Sequence, residues 1–245
     1  MEKRTGIDAT RIDAQRDVLQ LSAPAYHKLL GREPLLLTVS AERFAVLLAT
    51  LGASWGVPPD VLRQLVVKSP KLLRSGSPQR MDDNVTMLAK GLGVERSDVI
   101  RAVLSFPALA YQAPARIVAD AHRVADAIGV ARAEFIDAVL RVPSLMVRRR
   151  QMWRGKLRLI RRIARALGEE LRAVDVLRRF PTAMTYGTGR LMQRYVIAKL
   201  GFWSYNWQNL LTLSDRRARA RLEAHFAAHP EHTAIRAGLQ KRGLL

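Results

Sequence analysis

Five prolines recur along this chain at intervals of 36 to 38 residues, and each is followed 18 to 25 residues later by an apolar residue and a glycine. The prolines are Pro34, Pro70, Pro107, Pro143 and Pro181. The paired positions are Leu51-Gly52, Leu92-Gly93, Ile128-Gly129, Leu167-Gly168 and Leu200-Gly201. Two markers that keep one period are typical of stacked helical repeats, in which each unit buries its apolar face against its neighbours. We therefore predict an all-α fold, an α-solenoid of about five repeats of roughly 37 residues.

Each repeat reads as a helix, a short helical turn and a second helix. The first helix carries a helical apolar stripe, as in Val99, Ile100, Val103 and Leu104, and it ends where proline removes a backbone donor. Leu104 and the matching Leu140 are predicted to be buried. Small apolar groups after the proline, at 72–73, 109 and 145–146, predict a turn packed inward. The second helix is predicted to end at the glycine, which suits a left-handed C-terminal cap.

The remaining organisation follows from composition. We predict an N-terminal extension at 1–20, the repeat domain at 21–213, and a capping helix with a tail at 214–245. No run of 18 apolar residues exists, so no membrane span is expected. The chain has no cysteine, which excludes a disulfide scaffold and thiol chemistry. Acidic residues at the N-terminus, without an apolar signal core, favour a bacterial cytoplasmic protein.

Positive charge is concentrated in one part of the chain. The net charge is +20, and 33 of the 41 basic residues are arginine. Residues 141–179 alone carry a net charge of +10. A field of this size attracts polyanions.

The predicted helix at 151–167 holds the densest cluster. At about 100° per residue, Arg154, Arg158, Arg161, Arg162 and Arg165 share a sector of about 100°, and apolar residues occupy the opposite side. Arg148, Arg149 and Arg150 lie just upstream. A surface that serves only solubility normally mixes charges of both signs. The pattern therefore favours contact with a polyanion.

A basic residue also recurs nine to eleven residues after each repeat proline. These residues are Arg43, Arg80, Arg116, Arg154 and Arg190. In a stack they would form a row that could follow a phosphate backbone. The alternative is a solvated face on which an abundant residue recurs by chance.

Other candidate sites are weaker. Trp153 and Tyr186 neighbour the arginines and could stack on an unpaired base, although aromatic residues at helical spacing are more often core. His225, His229 and His232 are interpreted as surface histidines, because Pro230 interrupts their spacing and no cysteine accompanies them. No catalytic constellation can be assigned. We therefore expect no enzyme activity, no metal and no cofactor.

The proline segments read SPKLL at 69–73, FPAL at 106–109, VPSLM at 142–146 and FPTAM at 180–184. Together with the stretch from Pro181 through Arg190 and Arg194 to Gly201, and LLTLSD at 210–215, they resemble the mitochondrial transcription termination factor (mTERF) family. Gln193 stands where that family's terminal motif has a proline. The resemblance implies a superhelix that binds double-stranded nucleic acid along a basic concave groove, with Arg190 and Arg194 in the matching motif. It also implies a role in organellar transcription, replication, RNA processing or ribosome assembly, and so a mitochondrial or plastid location.

Two functions follow from these observations. The first is a monomeric nucleic-acid-binding solenoid that contacts the phosphates of duplex DNA, or of structured RNA, and modulates transcription. The alternative is a protein-binding solenoid scaffold whose charge serves an acidic partner.

Overall fold

The structure, a computed structural model, describes residues 9–74 and 77–245, apart from the side chains of Ala9 and Arg150. These residues form α-helices and short 3-10 helices and no strand, which confirms the all-α class. No single helix in this part of the chain has the length and apolarity to cross a membrane. Helices at 41–55 and 59–68 meet such criteria only as a pair bent by 118°.

The chain divides into two compact units, the first ending at Ala119. Its α-helices are α1 (Ala9–Leu19), α2 (Ala23–Arg32), α3 (Ala41–Trp55), α4 (Pro59–Lys68), α5 (Pro78–Leu92), α6 (Arg96–Ser105) and the start of α7 (Pro114–Ile128). Its 3-10 helices span Pro34–Thr38, Pro70–Leu73 and Pro107–Ala110. Each 3-10 helix lies between two α-helices, so the predicted order of elements recurs three times here.

The second unit begins at Asp120, within α7. It continues through α8 (Arg132–Arg141), α9 (Arg150–Ala166), α10 (Ala173–Arg179), α11 (Thr188–Lys199), α12 (Trp207–Thr212), α13 (Asp215–Ala228) and α14 (Thr233–Gln240). Its 3-10 helices span Pro143–Leu145, Pro181–Thr185 and Pro230–His232. The last of these, before α14, was not among the predicted repeats.

Every repeat proline opens a 3-10 helix, because the preceding residue is forced out of the helical region. Ser69, before Pro70, has φ −135° and ψ 78°. The short turns face inward as predicted. Leu72, Leu73 and Leu109 are buried, as are Leu145 and Met146.

Four of the five predicted glycine caps are present. Gly93, Gly129, Gly168 and Gly201 follow their helices with φ between 68° and 79°. The prediction for Gly52 is wrong, because α3 continues to Trp55 and ends at Gly56, with φ 63°. Gly52 instead lies inside the helix, where a Cβ would meet the Val57 carbonyl oxygen at 3.3 Å.

The predicted burial of Leu104 and Leu140 is also wrong, since both are half-buried. The neighbouring valines, Val103 and Val139, are fully buried. Ala102 and Ala138 are also buried. The buried face of α6 and α8 is therefore formed by different and smaller residues than the sequence pattern suggested. Truncating either leucine would therefore leave a smaller cavity than a core leucine does.

One contact recurs at equivalent places in the two units. Arg32, the last residue of α2, donates to the carbonyl oxygens of Val67 and Lys68 at the end of α4, both at 2.9 Å. Arg141, the last residue of α8, donates to those of Leu177 and Arg178 near the end of α10, both at 3.1 Å. A guanidinium thus satisfies helix-terminal carbonyls of the following repeat, and its charge favours the negative end of the helix dipole.

Candidate nucleic-acid interface

Helix α9 carries the five predicted arginines on one face and apolar side chains on the other, as predicted. Arg154, Arg158, Arg162 and Arg165 are exposed, and Arg161 is half-buried. The apolar face buries Leu157, Ile160, Ile163 and Ala164. Burial of this face fixes the direction in which the arginines project, because side chains three and four residues apart share one side of a helix.

The five arginines line a groove of about 400 Å³. Its remaining walls are Leu157 of the same helix and Ala127 and Ile128 at the end of α7. We call this set of residues the arginine groove. Arg154 is anchored at one side, where its Nε donates to the Ala127 carbonyl oxygen at 3.1 Å. Arg154 is nevertheless exposed and lines the groove with the other four arginines.

None of these arginines forms an ion pair within the described part of the chain, although Glu169, Glu170 and Asp175 line an adjoining cavity with Arg161 and Arg165. Residues 147–168 contain no Asp or Glu, and no described ion pair includes an arginine of the groove. Elsewhere arginines are commonly paired, as Arg132 is with Asp126 at 2.9 Å and Arg141 with Asp137 at 3.0 Å. The groove is therefore a local excess of positive charge.

One groove donor is buried and unsatisfied. The Nε of Arg161 has almost no solvent exposure and no hydrogen-bond partner among the described residues. A buried polar donor without a partner carries a desolvation cost of about 1–3 kcal/mol. Guanidinium groups bind phosphate oxygens well through their terminal nitrogens.

Arg162 makes a second kind of contact. Its guanidinium carbon lies 5.6 Å from the ring centroid of Tyr195 on α11. Such cation–π contacts contribute about 0.5–1 kcal/mol at exposed sites. The contact restrains Arg162 without neutralising it.

Two predicted contact residues lie in a different environment. Arg194 is fully buried and donates to Asp215 at 2.7 Å. Arg190 donates to the carbonyl oxygens of Leu211 and Leu213, and it stacks on Tyr186 with 4.1 Å to the ring centroid. The prediction that Arg194 contacts nucleic acid does not fit this position, because its guanidinium is enclosed by protein. Arg190 is half-buried and largely committed to the same network.

Burial also changes the pKa of Arg194. Desolvation lowers the pKa of its guanidinium, and the hydrogen bond to Asp215 opposes that shift. The sequence placed both arginines on a helix face, but it gave no sign that α13 would supply a carboxylate to them.

The other predicted contacts are exposed. Arg43, Arg80 and Arg116 each stand near the start of a helix in the first unit, and Arg148 and Arg149 precede α9 in the second. The side chain of Arg150 lies outside the described part of the structure. The exposure of these side chains is compatible with phosphate contact but does not test it. The row of arginines predicted to follow a phosphate backbone therefore stays a hypothesis.

The aromatic side chains near the arginines belong mainly to the core. Trp153 is fully buried and packs on Phe135, with ring centroids 4.9 Å apart. Trp207 is also fully buried, below Arg179. Tyr186 is half-buried beneath Arg190. Trp153 therefore cannot stack on a base without leaving the core.

The three C-terminal histidines form a cluster that the sequence did not predict. The ring of His225 lies 4.4 Å from that of His229 and 5.1 Å from that of His232. Nε2 of His225 is 3.0 Å from Nδ1 of His232, so one of these nitrogens must donate and the other accept. In the described residues no group of three or more His, Cys, Asp or Glu side chains is arranged to hold a metal ion.

This cluster predicts a loss of stability in acid. Burial lowers the pKa of His225 below its ordinary value of 6.5, His229 and His232 lower it further, and Glu231 opposes them. The unfolded chain therefore binds a proton more readily than the folded one. The stabilisation is present above about pH 6.5 and is lost as the pH falls through the lower pKa of the folded state.

We expect the melting temperature to fall between about pH 7.5 and about pH 5.5, and to fall less in the variant His225→Leu. Differential scanning calorimetry at the two pH values measures this. An equal fall in both proteins would contradict the role of His225.

The arginine groove thus combines five guanidinium groups, no described carboxylate partner and one buried unsatisfied donor. No family model matches this chain, and no curated protein matches it either.

Proposed function

We propose that this protein binds duplex nucleic acid, with the arginine groove of α9 as its central phosphate-contacting surface. The observation that carries the proposal is the set of five arginines on one helix face without a carboxylate partner in the described residues. Like charges at i and i+4 disfavour a helix by a few tenths of a kcal/mol per pair. An anionic ligand relieves that repulsion.

The dimensions of the face suit a polyanion better than a single small anion. From Arg154 to Arg165 the helix rises about 16 Å. A nucleic-acid duplex presents one phosphate charge about every 1.7 Å along its axis. Several arginines can therefore meet phosphates at once, and sequence-tolerant binding is the expected outcome.

We further propose that the chain is an mTERF-like α-solenoid. The proline-opened 3-10 helices, the glycine caps and the recurring contact of Arg32 and Arg141 support this architecture. A role in transcription belongs to the same proposal through the family resemblance. Small-angle scattering that gives a near-spherical particle would contradict the solenoid.

The experiment that tests nucleic-acid binding is a salt titration with duplex DNA and duplex RNA. We expect log K to fall linearly with log salt, with a slope near −0.9 for each phosphate engaged on DNA. Fluorescence anisotropy of a labelled duplex measures K. Absent or salt-insensitive binding would overturn the proposal and favour the scaffold for an acidic protein partner.

A further inference from the structure

A second groove lies beside the arginine groove, between α9 and α11. Its volume is about 390 Å³, within the usual range for a small-molecule site. We call it the methionine groove, after the thioethers of Met152 and Met192 in its walls. Its other important residues are Gly155, Lys156, Arg158 and Arg162. Among the described residues, no carboxylate lines it.

Lys156 lines this groove, and its charge stands at a position where a neutral side chain suffices for the fold. It is 7% exposed, and its Nζ donates to the Met184 carbonyl oxygen at 2.8 Å. In the first unit, buried Asn84 makes the corresponding bond from α5 to Ala110, at 2.9 Å. The backbone bond therefore does not require a charge.

The charge of Lys156 is costly where it stands. Burial lowers the pKa of its ammonium group, and Arg148 lowers it further. A bound anion would offset both effects.

Gly155 is the second unusual residue. It lies within α9, where glycine is disfavoured relative to alanine. Apart from its chain neighbours and the backbone of its own helix, no atom of the described residues lies within 4 Å of the place where its Cβ would be. Packing within the described chain thus gives no reason for a glycine, and its absent side chain opens the helix backbone to the groove.

We propose that the methionine groove binds a free purine nucleoside monophosphate. The base would lie over Gly155, between the side chains of Met152 and Met192. Its phosphate would meet Arg158, Arg162 and Lys156.

The chemistry of the groove selects this class of ligand. Thioether sulfurs make favourable contacts with aromatic rings. Arginine and lysine together provide charge-assisted hydrogen bonds to phosphate oxygens. A planar ring joined to one phosphate satisfies both halves of the groove.

The test uses the full-length protein and isothermal titration with AMP and GMP, with adenosine and inorganic phosphate as partial ligands. We expect saturable binding of the nucleotides, and binding by either partial ligand that is weaker by about tenfold or more. The variant Gly155→Ala should weaken AMP binding by about tenfold and raise the melting temperature, since alanine favours the helix. Lys156→Gln should weaken AMP binding and retain the folded state.

Matched controls separate these effects from general ones. Gly238→Ala changes another helical glycine with open space around it, and Lys199→Gln removes an exposed charge on α11. Both should bind AMP like the wild type. Unsaturable binding, binding equally strong for inorganic phosphate or adenosine, or binding unchanged by Gly155→Ala and Lys156→Gln would overturn the proposal.

Titration with triadenylate distinguishes binding of a free nucleotide from binding of a nucleotide within a strand. Triadenylate that binds more tightly than AMP, and is weakened equally by Gly155→Ala, would overturn the free ligand as occupant. The two grooves share Arg158 and Arg162, but the proposal does not rest on duplex binding, because Gly155 and Lys156, which the test changes, lie outside the arginine groove. The Gly155→Ala variant should keep the wild-type salt slope with duplex, so each proposal can fail alone.

Discussion

Replacing Arg158, Arg162 and Arg165 together by glutamine is expected to weaken duplex binding and to reduce the log–log salt slope by about 2 to 3 units. Glutamine preserves helix propensity and side-chain length while removing three charges. All three side chains are exposed and have no described carboxylate partner. Anisotropy titrations of labelled duplex at several salt concentrations measure both quantities.

The folded state should tolerate this change. Relief of like-charge repulsion along α9 favours the helix, and loss of the Arg162–Tyr195 contact opposes it by about 0.5–1 kcal/mol. We expect a melting temperature close to that of the wild type.

A triple variant on α13 serves as the matched control. Arg216, Arg217 and Arg219 are exposed on a helix of the same unit, and glutamine at all three removes the same charge. If net charge alone drives binding, the two triple variants will lose affinity equally, which would contradict a localised interface on α9. We expect the α9 variant to lose substantially more.

The largest effect on stability is expected at Trp153. Its replacement by alanine should lower the free energy of unfolding by about 3–5 kcal/mol, because a fully buried indole leaves a large cavity beside Phe135. Urea unfolding followed by circular dichroism measures the change.

The milder variant Trp153→Phe separates packing from recognition. The indole Nε1 is buried without a partner among the described residues, so its removal offsets part of the lost packing. We expect a smaller loss of stability than with alanine and unchanged duplex affinity. A stable Trp153→Phe protein that binds duplex poorly would restore the base-stacking role that burial argues against.

Local chemistry explains which parts of the fold could be predicted from the sequence. A proline restricts its neighbour and itself, so the 3-10 helices begin where the prolines stand. A glycine with left-handed backbone ends α5 and α7 at the predicted residues. Gly52 shows the limit of this argument, because a second glycine four residues later became the cap.

Tertiary partners explain what could not be predicted. Arg158 and Arg194 look alike in the sequence, as arginines on basic helices. Asp215, 21 residues beyond Arg194, accepts a hydrogen bond from its buried guanidinium, whereas Arg158 has no described ion pair. Whether an arginine is bound to a carboxylate or exposed without one depends here on the position of α13 in the fold. No local sequence pattern encodes that position. The histidine cluster likewise could not be predicted, because it forms only when the turn at Pro230 brings His232 beside His225.

The contacts of Arg32 and Arg141 have a consequence for how such a chain can diverge. Each arginine binds main-chain carbonyls, which every residue type provides. The accepting helix can therefore change its side chains without losing the bond, and only the donor must persist. Repeats joined in this way can be duplicated or exchanged with few compensating substitutions. The contact between neighbouring repeats can therefore persist after their sequences have diverged.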